Sequence, residues 1–460
     1  MTDRPDLSQD FAAFTVNAAY DDIQEDARER AKQSILDTLG VIVAASSLDP
    51  GIKGVAELVF ETGGREEATV LGFGGRVPAM MAAFANGAMA HCLDFDDHAP
   101  EGHHPSSSIV PSAFALAERV GGISGKEMIA AVAIGQDIFL RLRRNITWRE
   151  DWHLSTVCGV FGAAAAAARI LKLNQDQVVS TLGIAGTQAS GTMELAYGVG
   201  SNLRGMYAGF TSKSAVLSAL MAQKGVAGVQ SMFEGKAGLF NTYFEGKYNR
   251  EKMLDGLGRD FTGASMLYKP WPSCGLTHSF IHATNKVVKE NALTADDIVE
   301  IRVIVGDSQH LLCMPLETRR APKVAVDAKF SIPFCVALAA VNGTVRLSDF
   351  TDEGLKNPRA LAMAQKVTPV LDKSSNWTTK LPIGRVEIVA KDGRTLTGIG
   401  DMIPGDAEVP MDWNYLSEKF QEAMSFSLKP LSAGTIQGAA QMIRNLETMS
   451  DVAEVIRAIY

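Results

Sequence analysis

Eight histidines occur in the chain, and four of them stand in one stretch, His91-Cys-Leu-Asp94-Phe-Asp96-Asp97-His98-Ala-Pro-Glu-Gly-His103-His104-Pro105-Ser106. Imidazole titrates near neutrality, and a neighbouring carboxylate decides which ring nitrogen carries the proton. General acid–base catalysis needs that mixture. Proline and glycine break the stretch, so it reads as a loop held against polar partners. The alternative is a solvated surface loop with a helix cap at Ser106–Ser108. Half of the chain's histidines clustering with acids favours chemistry.

Asp94, Asp96 and Asp97 with His98 and His103 also offer oxygen and nitrogen ligands, but their spacing matches no known metal or calcium-loop pattern. His278 and His282 are four apart, as in zinc peptidases, yet Ser279 stands where the general-base glutamate belongs. Gly72-Phe-Gly74-Gly75 fails the dinucleotide and phosphate-loop templates. The expectation is a site with neither metal nor organic cofactor.

Three further segments carry candidate groups. In Trp152-His153-Leu-Ser155-Thr156, His153 sits at the mouth of an Ala-rich helix with Ser155 or Thr156 as its cap. Free amides there attract a carboxylate, although a histidine merely covering a helix end reads equally well. In Ser201-Asn-Leu-Arg204-Gly-Met-Tyr207, Arg204 suits a bidentate carboxylate clamp or a structural ion pair. Lys269-Pro-Trp-Pro-Ser-Cys274-Gly-Leu-Thr277-His278 is a rigid turn delivering Thr277 and His278 to a helix start, or else an interdomain linker. Cys274 has no argued base and reads as a packing residue.

The elements that must position these groups are mostly helical. Ile35, Leu36, Leu39 and Val43 follow helical spacing, and Met80–Ala90, Val157–Leu171 and Ser214–Gln223 are Ala-rich helices. Ala68-Thr-Val-Leu, bracketed by glycines, is the one clear strand in this half. Beyond Tyr268 the pattern becomes α+β. Val299–Val305 alternates as a strand, and Gly384–Ala390 and Thr395–Gly398 flank a hairpin turn at Lys391–Arg394. Helices are expected at about Thr277–Lys289, Val324–Val341 and Asp352–Lys366, and again from Asp412 to the end. The reading is a mainly α protein with an α+β insertion. A large helical domain (residues 1–266, completed by 409–460) carries a smaller α/β lid (267–408).

Length and composition agree with this. The 460 residues exceed one simple core, and 46% hydrophobic with 21% charged residues is ordinary for a globular chain. Charges of 44 and 52 leave −8, which disfavours nucleic acid and anionic membranes as partners. Apolar runs fall short of the ~20 residues that span a bilayer. Five scattered cysteines without a C-x-x-C pair and an acidic, non-apolar start make a reducing, cytoplasmic setting the expectation.

His91-Cys-Leu-Asp94-Phe-Asp-Asp97 with His104-Pro105-Ser106 resembles the signature of the MmgE/PrpD family. The likeness extends over Leu36–Gly40, His153 before Gly159–Ala163, Arg204–Gly209 and Lys269–His278. It implies a helical domain with an α/β lid, a homodimer, a cleft between the domains and no required cofactor. It also implies dehydratase, epimerase or decarboxylase chemistry on small carboxylic acids. Asp94, His104, His153 and His278 match polar positions of the decarboxylase-like members. Arg204 stands where those members have lysine, Tyr207 replaces a histidine, and Phe334 matches a tyrosine. On this resemblance Arg204 and Lys269 bind substrate carboxylates, helped by Thr277, His98 and His103. His104 and His278 exchange protons, Asp94 orients an imidazole, His153 completes the pocket or serves as second acid, and Tyr207 is an alternative donor. The reaction expected is a lyase step, dehydration first, on a di- or tricarboxylate, with epimerisation and then decarboxylation as alternatives. A non-catalytic carboxylate-binding protein and a metal hydrolase are the further alternatives.

Overall fold

The computed structural model describes residues 4–148, 151–198, 200–376 and 381–460. A 24-residue helix, Glu25–Leu48, runs through the helical part, with Glu25 and Asp26 in its first turn facing the positive end of the helix dipole. Asp49 caps the next helix, Pro50–Glu61, and Pro50 starts it. Ala79–Cys92, Ser106–Val120, Gly125–Arg144, Gly159–Ile170 and Leu203–Gln223 pack around them.

Small residues set the helix spacing. A Cβ on Gly87 would lie 2.8 Å from the Ala208 carbonyl oxygen, and one on Gly209 would lie 2.5 Å from that of Phe84. Ala79–Cys92 and Leu203–Gln223 therefore meet backbone to backbone. That approach brings His91, in the last turn of one helix, beside Tyr207, in the early turns of the other.

The helix expected at Val157–Leu171 is broken at Cys158 into Leu154–Val157 and Gly159–Ile170, and the helix expected from Ser214 begins at Leu203. The strand Ala68–Val70 forms and pairs antiparallel with Gly75–Val77.

In the second half four strands form a mixed sheet in the order Val367–Leu371, Ile298–Val305, Gly384–Ala390, Thr395–Gly400. The first pair is parallel and the others antiparallel, and the hairpin turns at Lys391–Arg394. Gly275–Glu290 and Ile332–Asn342 are the long helices here. The helix expected at Val324–Val341 is interrupted at Phe330 and Ser331, where the Ser331 side chain caps the second piece and Pro333 fills its first turn. The expected helix Asp352–Lys366 shortens to Pro358–Ala364.

Two further hydrophobic clusters, around Phe280, Ile301 and Val386 and around Phe334 and Leu338, belong to this half. The chain then returns. Leu416, Phe420, Ile443 and Ile456 enter the same cluster as Phe11, Ile35 and Phe161. Among the described residues no single helix is long and apolar enough to cross a membrane.

Candidate active site

Helix Ala79–Cys92 stops at Leu93, and Asp94 follows in left-handed backbone with φ 50°. Aspartate tolerates that region better than branched residues do. The Asp94 N–H donates to the His91 carbonyl at 2.8 Å, which turns the chain back over the helix end. Further on, His98 and Leu267 exchange backbone N–H···O bonds at 2.9 Å each. The loop is thus buried: Asp94, Asp96, Asp97, His98 and His103 are each under a tenth exposed. It is not the solvated loop considered as the alternative.

A buried carboxylate needs partners. Asp96 has two imidazoles, with His91 Nδ1 2.8 Å away and His104 Nδ1 3.2 Å away. His104 Nδ1 also donates to the Asp97 carbonyl at 2.8 Å. A carbonyl only accepts, so the proton sits on Nδ1 and the lone pair on Nε2. Burial alone would raise Asp96, but His91 and His104 hold it well below the usual carboxylate range. His91, Asp96 and His104 gather ligand-type atoms within 4.8 Å of one another. The proton on His104 Nδ1 makes this a hydrogen-bonded set, with no lone pair for a cation at that atom.

Asp94 was expected to orient an imidazole; Asp96 does so instead. Asp94 is taken by Lys269, whose Nζ donates to Asp94 Oδ1 and, at 3.1 Å, to the Asp94 carbonyl. Burial opposes ionisation of Asp94, yet Lys269 brings it down to about 2.

Behind the loop, Asp97 Oδ2 accepts from Ser34 at 2.5 Å and Ser106 at 2.6 Å. Gln136 donates to both hydroxyls, at 3.0 and 2.9 Å. Burial and neighbouring Asp37 push Asp97 well up. Lys419 pairs with Asp37 at 2.7 Å and donates to the Phe95 carbonyl at 2.7 Å.

The loop faces a cleft of about 450 Å³ lined by residues from both halves of the chain. Asp94, His98, His103 and His104 line it from the loop, His153, Arg204 and Tyr207 from the helices, and Lys269 from the segment before Gly275–Glu290. His98 Nδ1 donates to the Ala99 carbonyl at 2.8 Å, which leaves its Nε2 bare. Burial, with His104 and Lys269 nearby, brings His98 down to about 3. Burial, with His91 and His104, does the same to His153, also to about 3. His153 occupies the cap position of Leu154–Val157 itself, and its Nδ1 has no partner among the described residues. His103 Nδ1 lies 3.2 Å from Arg143 Nε at the rim. Burial and then Asp96 push the Tyr207 phenol well up, so it stays neutral.

Arg204 lies 3.4 Å over the Phe330 ring. Among the described residues its guanidinium makes no hydrogen bond or ion pair, so the structural ion pair does not form. Burial lowers it to about 10, still charged at neutrality. The second half of the chain adds a cation that sequence reasoning missed, Arg319, held by the Met314 and Asp327 carbonyls at 3.2 Å each. Two adjacent arginines on a five-residue helix give no signal of this role. Phe330 lines the cleft, whereas Phe334 is buried in the cluster around Leu338.

Thr277 and His278 do not line the cleft; its wall there is Cys274, Gly275 and Leu276. Both lie in the first turn of Gly275–Glu290 and face back into their own turn. Thr277 Oγ1 meets Ser273 Oγ at 2.7 Å, and His278 Nε2 donates to the Ser273 carbonyl at 3.1 Å. Burial, with Lys269 and His98, brings His278 down to about 3. His91 and Asp96 were the missed pair. Their signal was a histidine and an acid five positions apart across a helix end.

The profile described as the MmgE/PrpD N-terminal domain matches residues 9–252, and that of the C-terminal domain matches residues 271–445. Among curated proteins, a cis-aconitate decarboxylase of Aspergillus terreus is 26% identical, covering 98% of this chain and 96% of that one. The cis-aconitate decarboxylase of Homo sapiens is 26% identical over 92% of this chain and 88% of its own. The 2-methylcitrate dehydratase of Salmonella typhimurium is 22% identical over 79% and 78%. With both family profiles matched over most of its length, the chain belongs to the MmgE/PrpD family.

Proposed function

We propose that the protein is a lyase that removes a proton from carbon beside a carboxylate of a small di- or tricarboxylic acid. The observation that carries this reading is His104. Its Nδ1–H is held by acceptors, and its bare Nε2 belongs to a ring on the wall of a cleft that also holds Lys269, Arg204 and Arg319. Lys269 has three N–H groups; Asp94 takes two, and one remains for a substrate oxygen. Arg204 keeps its whole fork for a carboxylate.

His104 Nε2 takes the carbon proton, and the C–H electron pair spreads into the adjacent carboxylate. Cations preorganised around the cleft stabilise that charge. In dehydration the pair then forms the double bond, the C–O bond breaks, and the departing oxygen takes a proton from Tyr207, a neutral phenol. His153 completes the pocket. Loss of carbon dioxide is the second reading, favoured by the decarboxylase names among the relatives that span nearly the whole chain. The homodimer expected from the resemblance belongs to the same proposal, and sedimentation tests it.

The test is proton NMR in D₂O with a panel of citrate-, aconitate- and malate-type acids. Olefin formation, hydration or carbon dioxide loss supports the lyase. Deuterium entering carbon without change of constitution overturns it.

A further inference from the structure

Three buried lysines from separate parts of the chain donate to one short stretch of backbone. Lys329 reaches the Cys92 carbonyl at 3.2 Å, Lys269 that of Asp94 at 3.1 Å and Lys419 that of Phe95 at 2.7 Å. Lys269 and Lys419 also have carboxylates, Asp94 and Asp37. Among the described residues no carboxylate pairs with Lys329. It is 3% exposed, and burial lowers it from its ordinary 10.5. The Phe350 ring lies 5.8 Å from its ammonium, at the outer limit of a cation–π contact. A buried cation without a counter-charge costs stability, and a methionine of similar length would fill the space without that cost.

What the ammonium holds is the end of helix Ala79–Cys92, where carbonyls lack helical partners and the dipole is negative. His91 is the residue before, and the left-handed turn at Asp94 closes on the His91 carbonyl. Helix Leu203–Gln223 presses on the same residue, since a Cβ on Gly205 would lie 2.8 Å from Cys92 Cα. The Lys329 carbonyl accepts from the Cys274 N–H at 3.0 Å, and Phe330, the next residue, carries Arg204. Residues 329 and 330 therefore touch the histidine helix, the cleft wall at Cys274 and the arginine at once.

We propose that Lys329 is a positioning residue, which fixes the Cys92 carbonyl so that His91 and Asp94 meet Asp96 and Lys269 in the working geometry. It does not line the cleft and touches no reacting atom. Its part in catalysis rests on the lyase reading, whereas its hold on the histidines does not. Without the ammonium the helix end is released, and the loop shifts with it, because Asp96 joins His91 to His104. Arg204 keeps its Phe330 contact. Proton abstraction then suffers while carboxylate binding survives.

Lys329→Met should lower kcat by ~10–100-fold, the effect of a misplacement on the order of 1 Å. Affinity for tricarballylate, a saturated tricarboxylate, should stay close to native. The denaturant midpoint should also stay close to native, because relief of the buried charge offsets the donor lost to the Cys92 carbonyl. A native kcat, with or without lost stability, overturns the proposal, as does a kcat loss matched by lost affinity. If the methionine variant does not fold, Lys329→Gln decides, since its amide stops short of the lysine's reach; a native kcat there overturns the proposal as well. A second arm needs no substrate. In carbon-13 NMR of the histidine rings, Lys329→Met should move the His91 and His104 signals, assigned with His91→Gln and His104→Gln. His282 and His310, which do not line the cleft, should stay in place. Movement of every ring, or of none, overturns the hold on the histidines. If no acid reacts, the lyase reading falls and the spectra alone decide Lys329.

Discussion

The Arg204 guanidinium carbon lies 3.4 Å from the centre of the Phe330 ring, a contact across 126 positions of chain. That cation–π contact holds the guanidinium without using its N–H groups, so they remain for a ligand. Arg204→Ala should weaken binding of a non-reacting tricarboxylate by roughly 10–100-fold, the worth of a charge-assisted bond. Arg204→Lys should recover only part, since lysine restores the charge but not the planar fork. Titration calorimetry checks both, and unchanged affinity in the alanine variant would remove Arg204 from recognition.

His104→Gln should lower kcat by ~10²–10⁴-fold while the protein stays folded. Burial lowers His104 from its ordinary 6.5 despite Asp96 beside it. The native rate should therefore hold at neutrality and fall on acidification with a midpoint below 6.5. A rate that instead rises on acidification would give His104 the role of acid.

Stability should also depend on the buried imidazoles. His98, His153 and His278 stand at about 3 in the folded chain, against 6.5 when exposed. Between those values the unfolded chain binds protons that the folded chain refuses. Stability from this source is full above about pH 6.5 and drains away as pH falls toward about 3. Asp37 and Asp97, raised by burial, act in the opposite sense, so the comparison must be differential. His153→Gln should lose less stability than the native protein between about pH 7 and pH 5 in urea melts. Parallel losses would mean that His153 is charged in the folded state.

Lys419→Met should cost roughly 3–5 kcal/mol, because it leaves Asp37 buried without its cation. Adding Asp37→Asn should restore part of that loss. Denaturant melts of the two single variants and the double variant give the coupling, and additive effects would show that the pair does not interact.

Much of this site could be read before any geometry. The Asp94–His104 loop announced itself by composition, and Arg204 and Lys269 by their settings. Other parts were hidden for physical reasons. Which carboxylate serves which imidazole depends on the left-handed turn at Asp94, and no local pattern specifies that turn. Thr277 and His278 looked deliverable because they open a helix, yet the first turn folds them onto Ser273. Strand Val367–Leu371 was masked by Pro369, which a central strand would exclude. It is an edge strand, where a missing N–H costs little.

The Lys419 ammonium braces the Phe95 carbonyl across 324 positions of chain. A polypeptide is made from its amino end, at about 5–20 residues per second. The acidic loop therefore leaves the ribosome roughly 16–65 s before the cation that holds it. For that interval the nascent helical domain carries Asp37 and the loop carbonyl without their partner. The site's assembly is thus tied to synthesis of helix Trp413–Met424, which carries Lys419, and a chain truncated before Trp413 would lack the brace however well its remaining helices packed.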